Sequence, residues 1–89
     1  MITIWKYEVP IEDHFTLELP VNSKILSFQL QRGTPTIWVM VDTKKPIILR
    51  KFRLCGTGHE LENKYWKFIG TIQMHNGDLV FHLFEKEVI

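Results

Sequence analysis

The stretch Leu26-Ser27-Phe28-Gln29-Leu30-Gln31-Arg32-Gly33-Thr34-Pro35-Thr36-Ile37-Trp38-Val39-Met40-Val41 decides the fold class. Leu26, Phe28 and Leu30 alternate with Ser27, Gln29 and Gln31, the two-residue period that places successive side chains on opposite faces of a strand. Arg32-Gly33-Thr34-Pro35 stops this strand and is short enough for a hairpin. Its partner, Thr36 to Val41, is apolar on both faces, as expected of a central strand covered on both sides or of one at a subunit contact. This strand is expected to be the most buried.

Working outward, Trp5, Tyr7 and Val9 alternate with Lys6 and Glu8 until Pro10. After the acidic turn at Glu12-Asp13, Phe15, Leu17 and Leu19 alternate with Thr16 and Glu18 until Pro20 and Asn22-Ser23. Downstream, Ile47 and Leu49 share one parity while Phe52 and Leu54 share the other, and a β-bulge near Arg50-Lys51 is the expected reconciliation. Trp66, Phe68, Ile72 and Met74 read as one stripe. Asn76-Gly77 predicts a type I′ hairpin to a last strand carrying Leu79, Phe81 and Leu83. About seven short strands separated by turns predict an all-β domain over residues 1–89, a small two-sheet sandwich with a partly open barrel as the alternative.

Composition bounds the function. The 89 residues include three tryptophans, two tyrosines and six phenylalanines, an aromatic supply that offsets the shallow core of so short a chain. Cys55 is the single cysteine, which excludes an intrachain disulfide and a cysteine-based zinc cluster within one protomer and fits a reducing compartment. The start Met1-Ile2-Thr3-Ile4-Trp5-Lys6 carries no secretion signal and no apolar run could span a bilayer, so the expectation is a cytoplasmic protein with no membrane partner. A net charge of +1 gives no strong nucleic-acid signal. Charge nevertheless separates along the chain: Glu8, Glu12, Asp13 and Glu18 lie early, and Lys44, Lys45, Arg50, Lys51 and Arg53 follow later. Strands apolar on both faces predict a homo-oligomer.

The candidate ligand-binding residues are Arg50, Lys51, Arg53, Gly56, Thr57, Gly58, His59, Trp38 and Trp66. Two glycines in Gly56-Thr57-Gly58-His59 let backbone N–H groups approach an anion, arginine suits phosphate through its bidentate fork, and a tryptophan could stack a base. Against this, glycines between strands serve turns, and a basic run is often a solvated face. The histidines His14, His59, His75 and His82 match no compact metal motif, so no metal or other cofactor is expected, and His82 between Phe81 and Leu83 reads as a partly buried ring with hydrogen-bonded nitrogens. No serine is framed as a nucleophile and Cys55 reads as a small buried apolar residue, which makes catalysis the weaker class.

The segments Lys6-Tyr7-Glu8-Val9-Pro10, Leu17-Glu18-Leu19-Pro20, Trp38-Val39-Met40-Val41-Asp42, Phe52-Arg53-Leu54-Cys55-Gly56-Thr57-Gly58-His59 and Gly77-Asp78-Leu79-Val80-Phe81-His82-Leu83-Phe84-Glu85 resemble a family of small proteins encoded by tailed bacteriophages and prophages. The resemblance covers nearly the whole chain and implies a setting, the cytoplasm of an infected bacterium, with no catalytic or binding residues to carry over. The resulting expectation is an accessory protein that sequesters a phosphorylated small molecule, such as a cyclic nucleotide defence signal, without catalysis. Its alternatives are an inhibitor that binds a host protein and a minor virion or assembly component.

Overall fold

The computed structural model describes residues 1–63 and 65–87; Lys64, Val88 and Ile89, within the range expected of the domain, lie outside the described residues. Among the described residues the apolar alternation is realised as seven strands: β1 (Ile2–Glu8), β2 (His14–Pro20), β3 (Lys24–Gln31), β4 (Thr34–Asp42), β5 (Ile47–Gly56), β6 (Trp66–Met74) and β7 (Leu79–Lys86). β1, β4 and β3 form a first sheet in that spatial order, and β2, β5, β7 and β6 form a second, every pairing antiparallel. The sheets pack as a sandwich and do not close into a barrel. No helix among the described residues is long and apolar enough to cross a membrane.

The core follows from the parity of each strand. Phe15 and Leu19 on β2, Ile37, Val39 and Val41 on β4, Phe52 and Leu54 on β5, Ile72 on β6 and Leu83 on β7 all turn inward and are buried. β4 is the middle strand of its sheet, and Ile37, Val39 and Val41 are buried there, but it is covered on one face only: Trp38 is half-buried and Met40 is 39% exposed on the other, against the double-sided cover that its apolar pattern predicts. Trp5 has inward parity but is 39% exposed, because β1 is an edge strand with a neighbour on one side only.

Two turns differ in kind. β3 and β4 meet through Arg32-Gly33, both with positive φ (48° and 81°), the backbone that a two-residue primed turn requires. Asn76-Gly77 does join β6 to β7, but Met74 pairs with Leu79, so the loop is longer than two residues and His75, Asn76 and Gly77 all have positive φ. The type I′ geometry predicted at Asn76-Gly77 is found at Arg32-Gly33 instead.

The bulges also lie elsewhere than predicted. β5 runs against β2 without interruption from His14↔Arg53 to Pro20↔Ile47, so Arg50-Lys51 is not a bulge. The apolar phase changes because Arg50 itself faces inward, opposite Leu17. The register slips instead between Ile25 and Ser27, which leaves Leu26 exposed, and between Phe68 and Gly70. The second slip divides the stripe read from the sequence: Trp66 and Phe68 face outward while Ile72 and Met74 face the core.

Candidate functional site on the outer face of the second sheet

Inward Arg50 is stabilised by an acid on the neighbouring strand. Its guanidinium donates from Nη2 to Glu85 Oε1 (2.6 Å), from Nε to the other carboxylate oxygen, and from Nη1 to the carbonyl of Ser23 (2.6 Å). Both side chains are largely buried, at 19% and 16% exposure. Such a fork-to-fork pair occupies the guanidinium edge that a phosphate would use.

Arg53 is committed too. It projects outward yet is 5% exposed, because the segment after β5 passes over it. The guanidinium donates to Glu62 Oε1 (2.8 Å), to the carbonyl of Glu60 (2.8 Å) and to that of Leu54 (2.6 Å). Glu62 also meets His14 Nε2 at 3.3 Å. Partial burial works against the charged carboxylate, but its own backbone N–H, the Arg53 guanidinium and His14 outweigh that, and the Glu62 carboxyl is held below its ordinary value. Arg53 is therefore the pin that straps residues 57–63 across the sheet.

The Gly56–His59 segment is a turn. His59 N–H donates to the carbonyl of Gly56 (3.0 Å), Gly58 has φ +86°, and Thr57 N–H donates to the carbonyl of Val80 (3.3 Å). A Cβ at Gly56 would lie 2.9 Å from His59 Nδ1, so the first glycine makes room for the imidazole. Thr57 Oγ1 is 2.7 Å from His82 Nε2, and Thr71 Oγ1 is 2.8 Å from His82 Nδ1. His82 thus has the hydrogen-bonded ring expected of it. Cys55 is buried, its thiol directed at the carbonyls of Gly56, His59 and Glu60.

The sequence-predicted set therefore does not converge. Trp38 belongs to β4 of the other sheet, Arg50 points into the sandwich, Arg53 lies beneath the strap, and Gly56, Thr57, Gly58 and His59 turn at one end of β5. Lys51 and Trp66 do share a region. The last β5–β7 pair is Phe52↔Glu85, and beyond it the strands part, leaving Lys51 on one side and Lys86 on the other. Two adjoining clefts of about 660 and 550 Å³ open there, and Lys51, Asn63 and Lys86 line both. Trp66 and His14 wall the first; Tyr65, Leu49 and Glu87 border the second.

Lys51 and Lys86 make no ion pair with any described residue, and the indole Nε1 of Trp66 is buried without an acceptor. His14 and Trp66, from the two edge strands of the sheet, approach to 5.9 Å between ring centroids. Asn63 is positioned by accepting the Tyr65 N–H on its side-chain carbonyl (2.8 Å), and the Tyr65 carbonyl accepts the Glu87 N–H (2.9 Å). Sequence reasoning missed Lys86, Asn63 and Tyr65; the signal available was that lysines at 51 and 86 stand on strands with outward parity at those positions. Among the described residues no three His, Cys, Asp or Glu side chains gather to hold a metal.

Chemically, the region offers two ammonium groups, an amide and aromatic walls, with the carboxylates of Glu12, Glu85 and Glu87 also on its lining and the unsatisfied Trp66 N–H buried behind it. No curated protein and no solved structure matches the chain. A family model described as a domain of unknown function (DUF7352) matches residues 1–88, and the chain belongs to that family.

Proposed function

We propose that the protein binds a phosphorylated small molecule in the clefts around Lys51 and Lys86, as a sequestering protein and without catalysis on that ligand. The observation that carries this reading is the pair of unneutralised lysines beside a buried Trp66 N–H that has no acceptor. Like charges brought together on one sheet face are destabilising on their own, and an orphaned buried donor costs about 1–3 kcal/mol. A ligand rich in anionic oxygen relieves the first penalty, and the second where its binding opens Trp66 Nε1, which solvent does not reach in the free protein. Trp66 and Tyr65 supply faces against which a planar base can stack.

A nucleotide combines these chemistries, and the resemblance to phage proteins gives its capture a purpose, the removal of a defence signal from an infected cell. The exposed apolar side chains Ile2, Ile4, Met40 and Leu26 on the first sheet keep a homo-oligomer within the proposal. The test is a thermal-shift panel of cyclic and linear nucleotides with inorganic phosphate as reference. At a ligand concentration one hundred times Kd, native-state binding adds about 2.7 kcal/mol of stability. A rise in midpoint with a cyclic or linear nucleotide, abolished in the double variant Lys51→Ala/Lys86→Ala, supports the reading; a panel that shifts nothing removes it.

A further inference from the structure

The Thr57, His82 and Thr71 side chains form a hydroxyl–imidazole–hydroxyl chain that anion binding leaves unused. Thr57 belongs to the turn after β5, His82 to β7 and Thr71 to β6, so three separate segments bring them together. Thr71 is the direct cross-strand partner of His82, which sets the ring's height above the sheet. Thr57 is placed from the other side by its backbone bond to Val80, two residues before His82. Thr57 is an exposed residue, and its hydroxyl rests on the imidazole.

Distances of 2.7 Å (Thr57 Oγ1 to His82 Nε2) and 2.8 Å (His82 Nδ1 to Thr71 Oγ1) match the arrangement of an activated nucleophile: a hydroxyl on its base, and that base oriented by a third group. The productive tautomer carries its proton on Nδ1, donated to the Thr71 oxygen, which leaves Nε2 to accept from Thr57. The neighbouring thiol is the wrong nucleophile: Cys55 pairs with His82 across the strands, but it is buried and turned toward backbone carbonyls.

We propose that Thr57 is an acyl-acceptor nucleophile, with His82 as its general base and Thr71 as the residue that positions the imidazole. The substrate class is an activated carboxylic ester small enough to approach an open surface. Thr57 Oγ bonds to the ester carbonyl carbon as its proton passes to His82 Nε2. The tetrahedral adduct then collapses, the carbon–oxygen bond to the leaving group breaks, and the departing oxygen takes the proton back from His82. The products are an ester on Thr57 and a free alcohol or phenol, with the imidazole neutral again.

The test uses the full chain with p-nitrophenyl acetate, scoring p-nitrophenol release and locating the acetyl group by peptide mass spectrometry. The expected result is acetyl on Thr57, retained in Thr57→Ser and absent in Thr57→Val. His82→Gln should slow that labelling by about a hundredfold or more, the usual share of a general base. Thr71→Val should slow it and Thr71→Ser restore it, which separates positioning from a purely structural role. Thermal midpoints confirm that each variant is folded; if His82→Gln is not, Thr57→Val against Thr57→Ser decides alone. Acetyl found only on lysines or the N-terminus, or equal labelling in Thr57→Val, overturns the proposal.

Discussion

Arg50 and Glu85 face one another inside the sandwich from adjacent strands, joined by two hydrogen bonds and 35 residues apart in sequence. They end the apolar core on the side where β5 and β7 part. Removing one partner leaves the other charge desolvated and unpaired. Glu85→Ala or Arg50→Ala is therefore expected to lower stability by about 3 kcal/mol, toward the low end for a buried pair because both groups retain some exposure. Replacing both together, as Arg50→Met with Glu85→Leu, should cost far less. Urea denaturation of the two single variants and the double variant measures this directly.

A different constraint acts where the sheets approach each other. A Cβ at Gly70 would lie 3.3 Å from Phe28 Cβ, an atom next to backbone that cannot swing aside. Gly70→Ala should destabilise by about 1–3 kcal/mol through overpacking. At Gly56 the obstructing atom is the end of the His59 side chain, so Gly56→Ala should cost less than Gly70→Ala. Equal losses in the two variants would mean that His59 is held as rigidly as Phe28.

Acid should loosen the strap. Glu62 has a folded-state value below the ordinary 4.5, so its contribution is fully present above that value and is lost as pH falls through the depressed one. Asp42 acts in the same direction, its carboxyl held low chiefly by the Lys44 N–H and also by the amino terminus, with desolvation opposing. Stability should decline below about pH 4.5. Glu62→Gln should flatten that decline, and hydrogen exchange in residues 57–63 should rise first in acid. A Glu62→Gln profile parallel to that of the unaltered protein would contradict this.

The strands were legible wherever alternation was clean, as in Phe15-Leu17-Leu19; β4 was legible as a strand, while which of its two apolar faces turns inward was not. They became harder to read where one residue broke phase. An inward arginine looks like a register error until its acid, on a strand far along the chain, is known. The slips at Leu26 and Ile69 leave no mark in composition, because leucine and isoleucine suit either face. The basic residues were visible as a charge run, but where each one points was not. Alternation sends Arg50 inward and Lys51 and Arg53 outward, and only the strap shows that Arg53 is already occupied. Trp38 stands in the other sheet from the basic residues, which the sequence does not reveal because hairpin order alone does not say which strands share a sheet.

In the proposed site, nucleotide affinity should depend on the two lysines separately. Each charge-assisted hydrogen bond to phosphate contributes about 1.5–3 kcal/mol, so Lys51→Ala or Lys86→Ala should weaken nucleotide binding about tenfold or more. Arg53→Lys should act differently, lowering the thermal midpoint by releasing Glu60 and Glu62 while Lys51 and Lys86 remain in place. Calorimetric titration beside a melting curve distinguishes the two outcomes.

The most direct test of the proposed anion site is a titration of nitrogen-15-labelled protein with cyclic and linear nucleotides, followed by two-dimensional NMR. The Trp66 indole N–H, the Asn63 side-chain amide and the backbone amides of Lys51 and Lys86 should shift together and saturate at a common concentration. Shifts confined to Gly56–His59 or to the first sheet, or a Trp66 N–H that stays fixed at saturating nucleotide, would contradict the site.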